Sequence, residues 1–259
     1  MRIFTLNLRA GGNAATIPAI MRRISYLEPE IVVLSEYRDT RAGALVCGEL
    51  DRIGLSNQAC SSAARGNGVL VAAITPFSAL RNPFGLSNDE YPNAVLLARF
   101  NSLDVYGVYL PGQDRKRPHL RCLIAAGKRY NEAGTRAICI GDANSGRNDT
   151  DIEINVRSGA LRDAFSTADL YGELEQEWTE AWAHLHPDRY EFSWYPFRRD
   201  PEYHSRAGWR IDKALLSKEL LPALEAAEYD HIFRQDRLSD HSALVVDLSL
   251  PGVSTQDSR

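Results

Sequence analysis

The stretch Ala137-Ile138-Cys139-Ile140-Gly141-Asp142-Ala143-Asn144 sets the pattern on which the fold reading rests. An apolar run of strand length ends in a turn-forming glycine, and polar residues follow at once. The same arrangement recurs outward in both directions. Ile3-Phe4-Thr5-Leu6 ends in Asn7, and Ile31-Val32-Val33-Leu34-Ser35 ends in Glu36. Val105-Tyr106-Gly107-Val108 runs into Tyr109, with Pro111-Gly112 behind it. Further on, Ile211 precedes Asp212, and Ser239-Asp240-His241 opens a last strand, Ala243–Leu248. Between the strands, helical patterns are predicted over Ala15–Leu27, Ala42–Ile53, Leu120–Glu132 and Leu170–His184. Nearly continuous apolar strands belong to sheets covered on both faces, so the chain reads as α/β (α+β).

The 259 residues, with 44% hydrophobic and 25% charged side chains, have an ordinary globular composition. No apolar run is long enough to cross a bilayer, and Met1–Leu8 reads as a first strand rather than a leader. No repeat or linker divides the chain, so one domain is expected over residues 1–250, with a flexible tail at 251–259. The four cysteines, Cys47, Cys60, Cys122 and Cys139, form no CxxC or metal-type cluster. That usage fits a reducing, cytoplasmic setting. A net charge of −4 excludes coating of nucleic acid by bulk electrostatics but allows a local basic stripe. Nothing in the sequence calls for an obligate protein partner.

In α/β sheets, ligands gather where strands end. Here those ends supply carboxylates, amides, a phenol and an imidazole, which is the equipment of phosphoester hydrolysis. Such a reaction needs a cation, an activated water and a group to stabilise developing charge. Hard cations such as Mg²⁺ or Mn²⁺ take oxygen ligands; Glu36 suits that role, with Asn7 and Asp240 as supporting donors. Asp142 is placed to orient or deprotonate water, and Asn144 to hold the scissile phosphate. Asp212 would fix the tautomer of His241 and favour its charged form, so that His241 stabilises charge on the phosphoryl oxygens. The plainer alternatives are an Asn7 cap, an ordinary turn at Asp142 and Asn144, and an Asp212 paired with Arg210 or Lys213.

Taken in order, Asn7, Leu34-Ser35-Glu36, Val108-Tyr109-Leu110-Pro111-Gly112, Gly141-Asp142-Ala143-Asn144, Gly208-Trp209-Arg210-Ile211-Asp212 and Ser239-Asp240-His241 resemble the successive signature blocks of the endonuclease/exonuclease/phosphatase superfamily. Gly66-Asn67-Gly68-Val69-Leu70-Val71 resembles the strand that this family places after its metal glutamate. Tyr109, where the pancreatic deoxyribonuclease branch carries histidine, points to exonuclease III-type abasic-site endonucleases. So does Phe192-Ser193-Trp194-Tyr195, followed by the Trp209 block. The resemblance implies a four-layer sandwich of two packed mixed β-sheets flanked by helices, Mg²⁺ or Mn²⁺ dependence, and Tyr109 among the catalytic residues. It also implies an apolar sugar pocket from Trp194, Trp209 and Ile211, with abasic or 3′-end DNA as substrate. Arg9 departs from the pattern, which usually has Asp or Asn there; it is expected to disfavour a second metal or to contact substrate phosphate. No obvious lysine follows the metal glutamate, where repair enzymes commonly have one.

The basic run Arg115–Arg121 is expected either as a solvated helix start or, beside the site, as a phosphate rail through Arg115. Arg198, Arg199, Arg206 and Arg210 flank the aromatic stretch and invite the same reading. Trp178 and Trp182, four apart, are expected to pack on one helix. His184 and His186 point apart on a helix and do not suggest zinc. GxSxG, Walker A and GxGxxG signatures are absent. The rivals to a DNA phosphodiesterase are a phosphatase or phosphodiesterase acting on RNA, nucleotides or another small phosphorylated molecule, and a silent nucleic-acid-binding module.

Overall fold

The structure, a computed structural model, describes residues 1–61, 66–86, 91–153, 165–196 and 208–250. In chain order the elements are β1 (Arg2–Asn7), α1 (Ile17–Leu27), β2 (Ile31–Tyr37), α2 (Arg41–Arg52), β3 (Asn57–Cys60), β4 (Gly68–Ala73), β5 (Ser78–Arg81), β6 (Val95–Arg99) and β7 (Asp104–Tyr109). A 3₁₀ turn over Gln113–Lys116 leads into α3 (Arg117–Ala133), then β8 (Ala137–Asp142), α4 (Ala168–Glu177), β9 (Thr179–Glu180) and α5 (Ala181–Leu185). The chain closes with β10 (Asp212–Leu216), β11 (Leu224–Asp230), α6 (Ile232–Gln235) and β12 (Ala243–Leu248).

Two 6-stranded mixed sheets result, ordered β11-β12-β1-β2-β4-β3 and β5-β6-β7-β8-β10-β9. The period-2 alternation of a strand decides what lies between them. Ile3, Ile31, Val33, Val69 and Val71 of the first sheet meet Val105, Ile138, Ile140, Ala214 and Leu216 of the second in the central core. The opposite parity faces outward. Phe4, Leu6, Val32 and Leu34 pack under α1 and α2 through Ile17, Ile20, Met21, Val46 and Leu50. Tyr106, Val108, Cys139 and Leu215 pack under α3 and α4 through Leu120, Leu123, Leu170 and Leu174. The four-layer sandwich is therefore present, and both sheets are apolar on both sides.

Two glycines set how closely strands approach. A Cβ on Gly107 would stand 2.8 Å from Val69 and 3.0 Å from Val33 of the facing sheet. A Cβ on Gly141 (φ +140) would fall 2.2 Å from the Val108 carbonyl. Gly107 and Gly141 fall in the C-terminal halves of β7 and β8.

The single helix expected over 170–184 is two helices divided by β9. Trp178 turns extended (φ −124, ψ 143), and Thr179 and Glu180 pair with Leu216 and Leu215 of β10. Sheet pairing overrides local helix propensity there. Both tryptophans are buried, but on separate elements: Trp178 donates its indole N–H to Leu123 O at 2.8 Å, and Trp182 joins the central core. The tail at 251–259 lies outside the described residues. Among the described residues no helix is long and apolar enough to cross a membrane.

Candidate active site

The inward parity carries straight into the site. Extending the inner rows gives Ile3-Thr5-Asn7, Ile31-Val33-Ser35, Val105-Gly107-Tyr109, Ile138-Ile140-Asp142 and Leu216-Ala214-Asp212. Each row runs from core to polar residue at the same end of the sandwich. Register agrees, since Asn7 pairs with Ser35, and Asp142 with both Tyr109 and Asp212. By parity Glu36 would face outward with Leu34. A bulge intervenes: the β2–β4 register shifts between Ser35 and Tyr37, and Glu36 takes φ 56. Bulges re-aim single side chains in this way, and Glu36 reaches the Asn7 amide at 3.3 Å.

Asp142 is the hub. It accepts from Asn7 Nδ2 at 2.9 Å, from Asn144 N at 2.9 Å and from Asn144 Nδ2 at 3.3 Å. Burial pushes its carboxyl up to about 7, against the opposing pull of His241. Asn144, at φ 46, also donates to Leu110 O at 2.8 Å. Lys116 lies beneath, fully buried, and donates to Asn144 O. Its desolvation lowers its pKa to about 8, while Asp142 works in the other direction.

His241 faces Asp212, with Nδ1 2.9 Å from Oδ2. Burial alone would lower the imidazole's pKa, but the Asp212 charge and hydrogen bond outweigh it and raise it to about 9. The pair is held from several sides. Ser193 Oγ accepts from Asp212 N at 3.1 Å, and Ser239 Oγ accepts from His241 N at 3.1 Å while donating to Asn7 O at 2.7 Å. Tyr109 accepts from Asn67 Nδ2 at 3.3 Å, and burial followed by the Glu36 charge holds its phenol protonated.

The aromatic wall also forms. Trp194 and Trp209 rings lie 4.9 Å apart, Trp194 is 6.4 Å from the His241 ring, and Ile152, Phe165 and Ile211 pack beneath. Trp194 donates its indole N–H to Asp240 Oδ2 at 3.2 Å. The other Asp240 oxygen is buried without a hydrogen bond among the described residues and stands 3.9 Å from Arg9 Nε. The Arg9 backbone N–H donates to Asn7 Oδ1 at 2.7 Å. Among the described residues no three His, Cys, Asp or Glu side chains form a closed metal cage. Mg²⁺ does not require one: it takes one or two carboxylates and fills the remainder with water and phosphate. The Glu36 carboxylate and the orphaned Asp240 oxygen fit that demand. Asn7 turns its NH₂ toward Glu36 and Asp142, while its Oδ1 faces the Arg9 N–H.

Arg210 is not at the site. Its side chain is buried, pairs with Glu180 at 2.7 Å and with Asp151, and stacks 4.4 Å from the Trp182 ring. Lys213 also joins Asp151, at 3.0 Å, so Asp212 is left to His241. Alternation sends Lys213 to the face opposite Asp212, whereas Arg210 lies before β10 begins and is not bound by that strand's parity. The basic run is not a continuous rail either. Lys116 is buried, Arg117 pairs with Asp114 at 3.0 Å and Asp169 at 3.2 Å, and only Arg115 reaches a cavity beside Tyr109. Arg198, Arg199 and Arg206 lie outside the described residues. His186 rests on Trp182 with its Nε2 3.2 Å from Ala227 O and 3.1 Å from Glu228 Oε1. The sequence reading assigns no role to Ser35, Ser193, Ser239 or Asn67, and reads Lys116 only as part of the basic run. Ser35 Oγ donates to Val108 O at 2.9 Å and accepts from Asp142 N at 3.2 Å, which ties one sheet to the other at the site. The inner-row parity was the available signal for it.

The Endonuclease/Exonuclease/phosphatase family model matches residues 4–241. No curated protein matches the chain significantly. Among solved structures, the 3′-5′ exonuclease NExo from Neisseria meningitidis superposes with a TM-score of 0.80 at 20% identity, over 96% of this chain and 100% of that one. An AP endonuclease from Archaeoglobus fulgidus gives 0.77 at 18% identity, over 96% and 100%. The 3′ phosphatase NExo from Neisseria, bound to a product DNA hairpin, gives 0.76 at 18%, over 96% and 100%. At these identities the likeness is one of fold.

Proposed function

The chain belongs to the endonuclease/exonuclease/phosphatase family, and from that premise we propose that it is a divalent-metal-dependent phosphodiester hydrolase acting on DNA, at abasic sites or 3′ ends. One observation carries the reading: Asn7, Glu36, Asp142, Asn144 and the Asp212–His241 pair, from five separate sequence blocks, meet at one end of the sandwich. The similar structure bound to a product DNA hairpin supports the choice of DNA.

Glu36 and Asp240 would hold Mg²⁺ or Mn²⁺, which when bound offsets phosphate charge. Asp142, anionic once deprotonated and held by three donors, takes the proton of the attacking water. Asn7 and Asn144 fix that carboxylate, and the Asn144 amide, which gives its hydrogens to Leu110 O and Asp142, would release one of these bonds to hold a phosphoryl oxygen. His241, kept cationic by Asp212, stabilises charge as it develops. The Trp194–Trp209 wall beside His241 suits a baseless sugar, which is small, largely apolar and cheaper to extrude than a paired base. A second reading, hydrolysis of small phosphate esters, is favoured by the net charge of −4.

A panel of abasic duplex, nicked duplex, single strand, RNA and bis-p-nitrophenyl phosphate, with Mg²⁺ and with EDTA, tests the proposal. EDTA-sensitive DNA cleavage is expected. Trp209→Ala should lower abasic cleavage more than small-diester hydrolysis, by a gap of about 1–3 kcal/mol. Hydrolysis confined to the small esters would favour the second reading; parallel losses in the variant would make Trp209 structural.

A further inference from the structure

A cavity of about 580 Å³ opens beside Tyr109, lined among others by Arg38, Asn67, Tyr91, Pro111, Gly112 and Arg115. Its size falls within the range of ligand pockets. Among the described residues no acidic residue lines it, in a chain whose net charge is −4. Among the described residues neither guanidinium pairs with a carboxylate. Arg38 donates through Nε to Asn67 Oδ1, and Arg115 donates to Tyr91 OH at 2.7 Å and to Gly112 O at 3.4 Å. Both groups therefore keep donors for an anion, and their bonds inside the pocket hold them in place.

The rim is built. His119 Nε2 lies 3.2 Å from the Tyr91 carbonyl, Ser61 Oγ donates to Asn93 O at 2.6 Å, and Tyr109 N donates to Ala94 O at 2.8 Å. The Arg115 guanidinium stands 5.5 Å from the Tyr91 ring centroid, yet Tyr91 remains 40% exposed. The Arg38 stem lies against Gly11, where a Cβ would come within 3.1 Å of it. The pocket is also joined to the reaction centre, because Asn67 bridges Arg38 to Tyr109.

Two fixed guanidiniums, an exposed aromatic ring and apolar walls of proline and tyrosine match a phosphate joined to a flat base. We infer that this pocket is a nucleotide subsite, seating a nucleotide adjacent to the scissile phosphate, so that the substrate is a nucleic acid strand rather than a free phosphate ester. The inference rests on the hydrolase reading only for where the scissile phosphate lies. The binding itself is independent of turnover.

The probe is a fluorescein-labelled phosphorothioate oligothymidylate, titrated in Mg²⁺ against the wild type and the Tyr91→Ala and Arg115→Ser variants. Both side chains are surface-placed, and thermal midpoints verify that the variants fold. Each substitution should weaken binding about tenfold, the loss expected for one aromatic or ionic contact to a strand. The dinucleotide-to-bis-p-nitrophenyl phosphate ratio of kcat/KM should fall with it. Binding indifferent to both substitutions, or a wild type that does not bind the oligonucleotide, overturns the subsite. Small-diester hydrolysis reports the reaction centre separately. Its absence alongside Tyr91-dependent binding sinks the hydrolase and leaves the subsite, and the converse pattern sinks only the subsite.

Discussion

Asp142 and His241 carry opposite charge requirements in one buried site. The base must be anionic, and its carboxyl is raised to about 7, so activity grows as pH climbs through that value. The imidazole must be cationic, and it is held up to about 9, so activity falls as pH passes that value. The two limbs belong to the coupled network rather than to either residue alone, and a bound cation would move the acid limb downward. We expect a bell-shaped pH dependence of kcat/KM whose basic limb disappears in His241→Gln, together with a loss of about 10²–10³-fold at the optimum. A wild-type rate undiminished well above the His241 value would remove the imidazolium from the mechanism. Stability should follow the same sign for His241: its contribution is complete below the free imidazole pKa and is lost as pH rises through about 9. At this scale the sequence was most informative where a polar residue ends an apolar run, as with Asn7 and Asp142. It was least informative for Arg210, whose partners Asp151 and Glu180 are 59 and 30 residues away in the chain and carry no local mark.

At the scale of elements, the site depends on parity and on close sheet approach. Period-2 alternation made β1, β2, β7 and β8 readable, because their apolar runs are buried on both faces. β5 is exposed along its length, and β11, Leu224–Asp230, is rich in Ala and Glu; pairing with β6 and β12, not local pattern, makes them strands. The Glu36 bulge could not be read locally either, since it arises from the β2–β4 register. Gly107 offers the direct test. Its missing Cβ lets β7 settle against Val33 and Val69, and the same approach lets Ser35 reach Val108 O. Gly107→Ala should overpack that contact and cost about 1–3 kcal/mol, read as a lower midpoint in urea unfolding. It should also reduce activity, because the sheet-to-sheet bond through Ser35 reaches the Asp142 amide. An unchanged midpoint would mean that the sheets part there at no cost.

For the molecule as a whole, the excess of acidic over basic residues, 34 against 30, argues against a long electrostatic footprint. Many basic side chains are already engaged: Arg2, Arg23, Arg117, Arg147 and Arg210 all pair with carboxylates. At the reaction end, Arg38 and Arg115 face the cavity and Arg9 stands beside Asp240. Among the described residues, a strand lying across that end would thus meet few cations, on the order of three phosphate contacts. Each contact to a single strand contributes a slope of about −0.7 to log K against log salt, so the whole slope should be about −2. Arg115→Ser should make it shallower by about 0.7. A far steeper slope would require a cationic surface outside the described residues. A slope near zero would show that the strand is held by stacking and by the reaction centre alone, and would remove Arg38 and Arg115 from phosphate binding while leaving Tyr91 in place.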